Sequence, residues 1–281
     1  MMRRRSRLAL RLAPAKLGAL TILTILAVVT IYPLAWLLLN SLKSSDALFE
    51  RSWALPTTWL WHNYPEAWRY GLGRFMANSV LITGVSVVAI VLLGALAAFV
   101  LVTRRFRGRG LVTAIVLGGL IVPPEVSLFP LFKIMVLLGI YNTYLAMIAP
   151  DIAYGLPFTV LLLRAYMTQI PPEMAEAATM DGAGLLRCFW HVYLPLARPA
   201  LAAAAMVQAM RVWNEFVFAL TFVSNDALHP LTVGLTTFGD SLNTNWPVLL
   251  AGLVISIVPI LVVFLLMQRQ FMRGLTAGAL K

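Results

Sequence analysis

The chain has 281 residues, 60% of them hydrophobic and only 12% charged, against roughly 45–50% and about 25% in soluble domains. Its net charge is +11, from 22 Lys+Arg against 11 Asp+Glu. The apolar residues fall in blocks long enough to cross about 30 Å of hydrocarbon as helices, so the composition describes a polytopic membrane protein. It also assigns the basic excess to span-flanking topology signals rather than to nucleic-acid binding.

In chain order the first segment is MMRRRSRLALRLAPAK, then an apolar run over 17–39 that ends in WLLLN. A cleavable signal peptide has an apolar stretch of about 7–15 residues before a small-residue cleavage site; this run is longer and is read as a retained first span. Residues 40–75 come next, rich in Trp, Asn and Pro (WALPTTWLWHNYPEAW). Trp53, Trp59, Trp61, Trp68, Tyr64 and Tyr70 have the character of interfacial aromatics; the pattern does not decide whether the segment is helical.

Five more apolar runs lie over about 76–102, 111–132, 143–163, 200–223 and 247–267, giving six candidate spans. With the N-terminus inside, the cytoplasmic pieces are 1–16, 103–110, 164–199 and 268–281. They hold Arg3, Arg4, Arg5, Arg7, Arg11 and Lys16; Arg104, Arg105, Arg107 and Arg109; Arg164, Arg187 and Arg198; Arg269, Arg273 and Lys281, which is most of the basic residues. The positive-inside rule therefore selects an N-in, C-in arrangement. Pro123, Pro124 and Glu125 fall in the third run, and Pro150, Asp151 and Pro157 in the fourth. Proline in a membrane helix frees backbone carbonyls that neighbours or a cavity must satisfy, which fits either a harmless kink or a broken helix beside a pathway.

The cytoplasmic stretch EMAEAATMDGAGLLRCFWHVYLPLARP, residues 173–199, is the least membrane-like part of the chain. Pro171-Pro172 ends the preceding run and opens a helix. Glu173 and Glu176 lie in the first turns, where the positive end of the helix dipole favours acids. Ala175, Ala177 and Ala178 are strong helix formers with small side chains, and Gly182 after Asp181 is the usual residue past a helix end. The spacing predicts a helix over 173–180. Leu185, Leu186, Phe189, Val192 and Tyr193 recur at helical spacing and begin a second, amphipathic piece; Pro195 and Pro199 punctuate its exit. Two turns of helix are unstable alone in water, so 173–180 packs either on its own bundle or on a partner.

Ionisable residues at bilayer depth cost about 2.5–3.5 kcal/mol each on insertion scales and are functional candidates. Arg211 and Glu215 stand four apart in the fifth run and are expected to pair as i, i+4 neighbours, with Asn214 between them. They either tie helices together or line a translocation path or gate. Asp151 faces the cavity or, as the preferred reading, the outer interface near the end of its span; Glu125 is placed near an outer end as well, and Lys133 at the interface.

The ordered set Glu176-Ala177-Ala178, Asp181-Gly182-Ala183, Phe189, Leu194-Pro195 and Pro199 resembles the EAA loop of binding-protein-dependent ABC importer permeases. So do LRAYMTQIPPEMAEAA before it, WNEFVFALTF at 213–222 and, for the carbohydrate-uptake branch similar to the maltose and glycerol-phosphate permeases, the ending QRQFMRGLTAGALK. NSL (40–42) and NSVLIT (78–83) add weaker support. Pro172 departs from the basic or polar residue often found before the first Glu, and Cys188 and His191 stand at variable positions. The resemblance implies an all-α permease of the type I importer kind with six transmembrane helices. It implies a coupling helix over 173–180, carried by Glu173, Glu176, Ala177, Ala178, Asp181, Gly182 and Ala183, that seats in a groove on a cytoplasmic ATPase subunit. Implied partners are two such ATPase subunits, a second homologous permease, an extracytoplasmic substrate-binding protein and a carbohydrate, in a bacterial or archaeal cytoplasmic membrane. Arg211, Asn214, Glu215 and Asp151 become candidates for the path or gate, although the sugar site can lie mostly on the partner permease.

No catalytic residues, cofactor or metal are expected. Cys188 stands alone, so no internal disulfide forms, and His62, His191 and His229 lack ligand spacing. None of Lys16, Lys43, Lys133 and Lys281 follows a glycine, so the sequence holds no G-x-x-x-x-G-K-[ST] phosphate loop, and ATP binding falls to another chain. A stand-alone secondary transporter using Arg211, Glu215 and Asp151 is the alternative; it is opposed by the EAA-type loop and by the lack of a visible inverted repeat. A membrane enzyme lacks paired histidines, a Cys/His arrangement or a G-x-S-x-G.

Overall fold

The computed structural model describes residues 2–239 and 244–279, with side chains described over 16–239 and 244–268. The basic N-terminal piece and most of the C-terminal tail, expected to be cytoplasmic, therefore lie outside the described side chains. Regular structure among the described residues is entirely helical. In order, the helices are α1 (Met2–Asn40), α2 (Ser45–Glu50), α3 (Asn63–Ala67), α4 (Gly73–Thr103), α5 (Arg109–Gly118), α6 (Leu128–Leu137), α7 (Tyr144–Met167), α8 (Pro172–Met180), α9 (Leu185–Cys188), α10 (Leu194–Leu196), α11 (Arg198–Trp213), α12 (Val217–Phe222), α13 (Leu231–Gly234) and α14 (Trp246–Ala279). Among the described residues four helical stretches are long and apolar enough to cross a membrane: Lys16–Asn40, Asn63–Thr103, Tyr144–Met167 and Trp246–Gln268. Leu185–Leu196 and Arg198–Trp213 pass the same test only as a pair bent by 78°.

The run at 111–132 is not one helix. Helix α5 stops at Gly118, and a single turn over Pro124–Ser127 intervenes before α6. Gly118-Gly119 is a poor helix continuation, and the missing amides of Pro123 and Pro124 block propagation from the other side. The run at 200–223 is broken as well, between Trp213 and Val217. At these two breaks the apolar pattern and the backbone part company: hydropathy measures length of grease, not continuity of helix.

The chain forms two compact units, 1–70 with 238–254, and 71–237 with 255–281. In the first, α1 leads into a folded connector. Asn40, Ser41 and Leu42 are buried at its end. Asn63 donates from Nδ2 to the carbonyls of Ser41 and Lys43 at 2.8 and 3.1 Å, and the buried Lys43 donates from Nζ to the carbonyls of Arg51 and Ser52. The lysine thus satisfies carbonyls left open where α2 ends. Segment 40–75 is therefore partly helical, a point the sequence pattern left open. Trp53, Trp59, Trp61, Trp68 and Tyr70 are exposed, as interfacial aromatics should be, while Trp53 stacks on Tyr32 with ring centroids 5.8 Å apart.

In the second unit α4 and α7 pack along each other and receive α11. Small residues set the approach, the device by which helices come together where lipid removes the hydrophobic drive. A Cβ on Gly94 would stand 2.6 Å from Thr159 Cγ2, and one on Gly155 would stand 2.6 Å from Ile90 Cδ1 and 2.9 Å from Gln208 Oε1. Asn78 and Ser79 of the NSV motif hold the loop before α13: Asn78 Nδ2 donates to the carbonyls of Ala227 and His229, Tyr144 Oη donates to Asn78 Oδ1, and the Leu231 amide donates to Ser79 Oγ.

Candidate functional site

The first candidate site is α8. Pro171 is extended (ψ 130°), Pro172 opens the helix, and no residue of α8 is buried. Its end is a full Schellman closure: Gly182 N–H donates to Thr179 O at 3.0 Å and Ala183 N–H to Ala178 O at 2.9 Å. Gly182 takes φ +78°, a conformation that costs an L side chain about 1–2 kcal/mol to adopt. Glu173, Glu176, Ala177 and Asp181 are exposed; Ala178 and Ala183 are half-buried. The helix expected over 173–180 is thus present within one residue, capped as its glycine predicts, and displayed outward.

The segment after Gly184 anchors α8. Cys188, Phe189 and Tyr193 are buried, and the Phe99 ring of α4 meets Phe189 at 5.2 Å and Tyr193 at 4.9 Å. These residues join Ala95, Ala98, Leu163 and Met167 in one apolar cluster. The buried face differs from the expected amphipathic one: Leu185 and Leu186 are exposed, and burial runs through Cys188, Phe189 and Tyr193. A wider turn over Phe189–Tyr193 sets those two rings on one face. Cys188, to which sequence reasoning attached nothing, is part of this anchor.

The second candidate site lies between α7 and α11. Asp151 is only 1% exposed, and its carboxylate Oδ1 accepts from Arg211 Nη1 at 3.0 Å. Arg211 also donates from Nη2 to the Asp151 carbonyl at 2.6 Å and from Nε to Gln208 Oε1 at 2.8 Å. Gln208 is buried and donates onward to the Gly155 carbonyl and Thr159 Oγ1, both at 3.1 Å. The chain of donors therefore ends on acceptors of α7, as buried polar groups require.

This arrangement corrects one expectation. Arg211 does not pair with Glu215, because α11 ends at Trp213 and the i, i+4 relation no longer exists; Arg211 reaches across to α7 instead. Glu215 turns the other way, and its carboxylate accepts from the amides of Phe218 at 2.7 Å and Ala219 at 3.2 Å, capping α12. Its own carbonyl accepts from Thr232 Oγ1 at 2.6 Å. Asp151, for which a cavity-facing or interface-facing side chain was expected, is buried and meets Arg211. Asn214 is exposed and bonds back to the Met210 carbonyl at 2.7 Å, which places it at the break but outside the network. Sequence reasoning missed Gln208 and Thr159, whose signal was a lone polar residue on an apolar helix. It also missed Asn142, a positive-φ residue (59°) whose Oδ1 accepts from the amides of Ser224 and Asn225 just after α12.

The chain is thus a helical membrane-type protein that displays a short capped helix and holds a polar tie beside a broken span. The chain belongs to the family described as binding-protein-dependent transport system inner membrane component, which it matches over residues 90–275. It is 43% identical over 250 residues to the probable ABC transporter permease protein YurM of Bacillus subtilis, covering 89% of this chain and 83% of that one. It is 32% identical over 263 residues to the diacetylchitobiose uptake system permease protein NgcG of Streptomyces coelicolor, covering 92% and 87%. Among solved structures it resembles a chain of a bacterial ABC transporter involved in the import of the acidic polysaccharide alginate, with a TM-score of 0.82, 26% identity, and coverage of 92% of this chain and 97% of that one.

Proposed function

We propose that this chain is a permease subunit of an ATP-driven importer for a carbohydrate. The observation that carries the reading is α8: a short capped helix with no buried residue, held on a rigid apolar anchor. An isolated helix of this length does not persist in water, so a surface built around it has a partner to meet. Glu173, Glu176, Ala177, Ala178, Asp181, Gly182 and Ala183 form the docking face for one of two cytoplasmic ATPase subunits. Motion of that subunit passes through Phe189 and Tyr193 to α4, α7 and α11. A second homologous permease completes the pathway, and an extracytoplasmic binding protein delivers the sugar. Relatives that serve diacetylchitobiose uptake and alginate import support an oligosaccharide or related compound as the cargo.

The chain is a multi-pass membrane protein. Six crossings are proposed, N-in and C-in, in the cytoplasmic membrane of a bacterium or archaeon: 17–39, then a permease core over 76–267 in which the broken runs 111–132 and 200–223 each count as one. The basic 1–16 and the tail 268–281 lie inside, 40–75 lies outside, and the EAA loop 164–199 lies inside. The charge asymmetry supports this sidedness. Arg211 and Asp151 act as the tie that sets α11 against α7, and Asn214 and Glu215 as the break beside the path. The stand-alone carrier is disfavoured, because the chain belongs to the binding-protein-dependent transport family and Arg211, Asp151 and Glu215 are each engaged in holding helices.

The test is ATP-dependent uptake by the full complex in proteoliposomes, with Glu176→Lys and Gly182→Asp made in this chain. Both are expected to assemble in the membrane yet lose ATPase-subunit docking and uptake. Undiminished docking and uptake in both variants would remove α8 from the coupling role.

A further inference from the structure

Arg211 takes only one oxygen of the Asp151 carboxylate. The other, Oδ2, is buried and accepts no hydrogen bond from the described residues. A buried anionic oxygen without a donor is costly, so this half of the carboxylate calls for a partner. Asp151 lines a cavity of about 10 Å³, and Glu215 lines the same cavity from the break between α11 and α12. Thr83 on α4 brings a hydroxyl to the wall, while Ile82, Met147 and Ala219 supply apolar surface. Two carboxylates that serve different helices therefore border one small space.

We infer that this cavity holds one ordered water molecule, which donates to Asp151 Oδ2 and to a Glu215 oxygen and accepts from the Thr83 hydroxyl. The volume is about the least that admits a water, and three hydrogen bonds are the usual number for a buried one. Ionised carboxylates only accept, so the occupant has two hydrogens to give. An anion is repelled by both carboxylates. A metal cation would meet the Arg211 guanidinium, whose Nη1 already lies 3.0 Å from Asp151 Oδ1. Glu215 accepts from the Phe218 and Ala219 amides, and a carboxylate with about four lone-pair sites has room for a further donor. One such bond is not solvation, since Asp151 stays 1% exposed and bulk water does not reach it. The consequence is mechanical. The tie between α7 and α11 and the cap of α12 become one network, with Thr83 of α4 as its positioning residue, and a shift of α12 at the break is passed through the water to Asp151 and Arg211.

The experiment is X-ray hydroxyl-radical footprinting of the complete transporter in detergent, read as oxidation at Met147. Irradiation makes the radical from water where the water stands, and a methionine beside it becomes the sulfoxide. Met147 and Met206 are each 1% exposed, but of the two only Met147 lines the cavity, so Met206 is the control. Met147 is expected to be oxidised and Met206 spared. Thr83→Val keeps the shape of the wall and removes one hydrogen bond to the water; it should lower Met147 oxidation by about fivefold, the change in occupancy that one lost hydrogen bond gives. Ala219→Val, which grows into the cavity, should abolish the oxidation and serves if Thr83→Val does not assemble. Equal reactivity of Met147 and Met206, or unchanged Met147 oxidation in both variants, would overturn the assignment. So would a rise in Met147 oxidation when sodium and potassium are replaced by choline, because a metal cation would then have been the occupant.

Discussion

Arg211 grips Asp151 twice, through the carboxylate at 3.0 Å and through the backbone carbonyl of the same residue at 2.6 Å. The second contact makes the pair more than a meeting of charges, since it fixes the guanidinium against the α7 backbone itself. Gln208, bonded to the Arg211 Nε, extends the grip one and two turns along α7, to Gly155 and Thr159.

Breaking such a pair from one side leaves the other charge stranded, a loss of about 3–5 kcal/mol where both partners are buried. The two partners differ in their access to solvent: the Arg211 side chain is 32% exposed and that of Asp151 is 1% exposed. A stranded Arg211 can still be hydrated, whereas a stranded Asp151 cannot. Arg211→Ala is therefore the more damaging substitution, and Asp151→Ala the milder. Arg211→Met/Asp151→Leu should recover much of the loss, because no buried charge remains. Thermal unfolding of the detergent-purified complex measures the order; equal stability of all three variants would show that the pair holds nothing.

Glu215 is a helix cap in the middle of a transport protein. Glu215→Ala removes the acceptor for the Phe218 and Ala219 amides and should destabilise α12 by about 0.5–2 kcal/mol, the range for losing a cap. Glu215→Gln keeps one acceptor oxygen and should fall between. Hydrogen exchange at 217–222 reads the effect directly, and wild-type protection in Glu215→Ala would refute it.

The α4–α7 approach is set by absent side chains. Gly94→Ala places a methyl 2.6 Å from Thr159 Cγ2 and should cost about 1–3 kcal/mol through overpacking. Pairing it with Thr159→Ser removes that carbon while keeping the hydroxyl that Gln208 uses. The double variant should regain stability relative to Gly94→Ala; a purely additive outcome in a double-mutant cycle would contradict the contact.

At Gly182 the space is open and only the backbone objects: nothing lies within 4 Å of a built Cβ, and φ is +78°. A graded series is expected, with Gly182→Asn closest to wild type because asparagine tolerates this region, Gly182→Ala losing about 1–2 kcal/mol of closure, and Gly182→Val losing most. The ratio of ATP hydrolysed to sugar imported by the reconstituted complex is the readout. An inverted order would mean that the glycine serves close approach of a partner rather than chain reversal.

Helix α8 was legible in the sequence because every signal for it is local. Pro172, Glu173, three alanines and Gly182 specify start, dipole, propensity and stop within one short window, and no distant residue votes. The breaks after Gly118 and Trp213 were not legible as breaks. Gly118-Gly119 and Pro123-Pro124 were visible, but a hydropathy run counts them as passengers. At Trp213 no proline or glycine marks the end at all; Glu215 stops the helix by bonding forward to α12, a competition that depends on Thr232 holding its carbonyl from another element.

The sequence by itself determined that the chain crosses a membrane, how its arginines are distributed among the segments between apolar runs, and where the short helix α8 starts and stops. These are properties of composition, charge asymmetry and residues a few positions apart. The tertiary structure alone decided who holds Arg211. Spacing nominated Glu215, four residues away; packing chose Asp151, sixty residues away. The reason is that a helix pair is available only where the helix continues, whereas a buried guanidinium must find an acceptor wherever the fold brings one. Gly94 and Gly155 draw α7 against its neighbours, and that close approach supplies the acceptors.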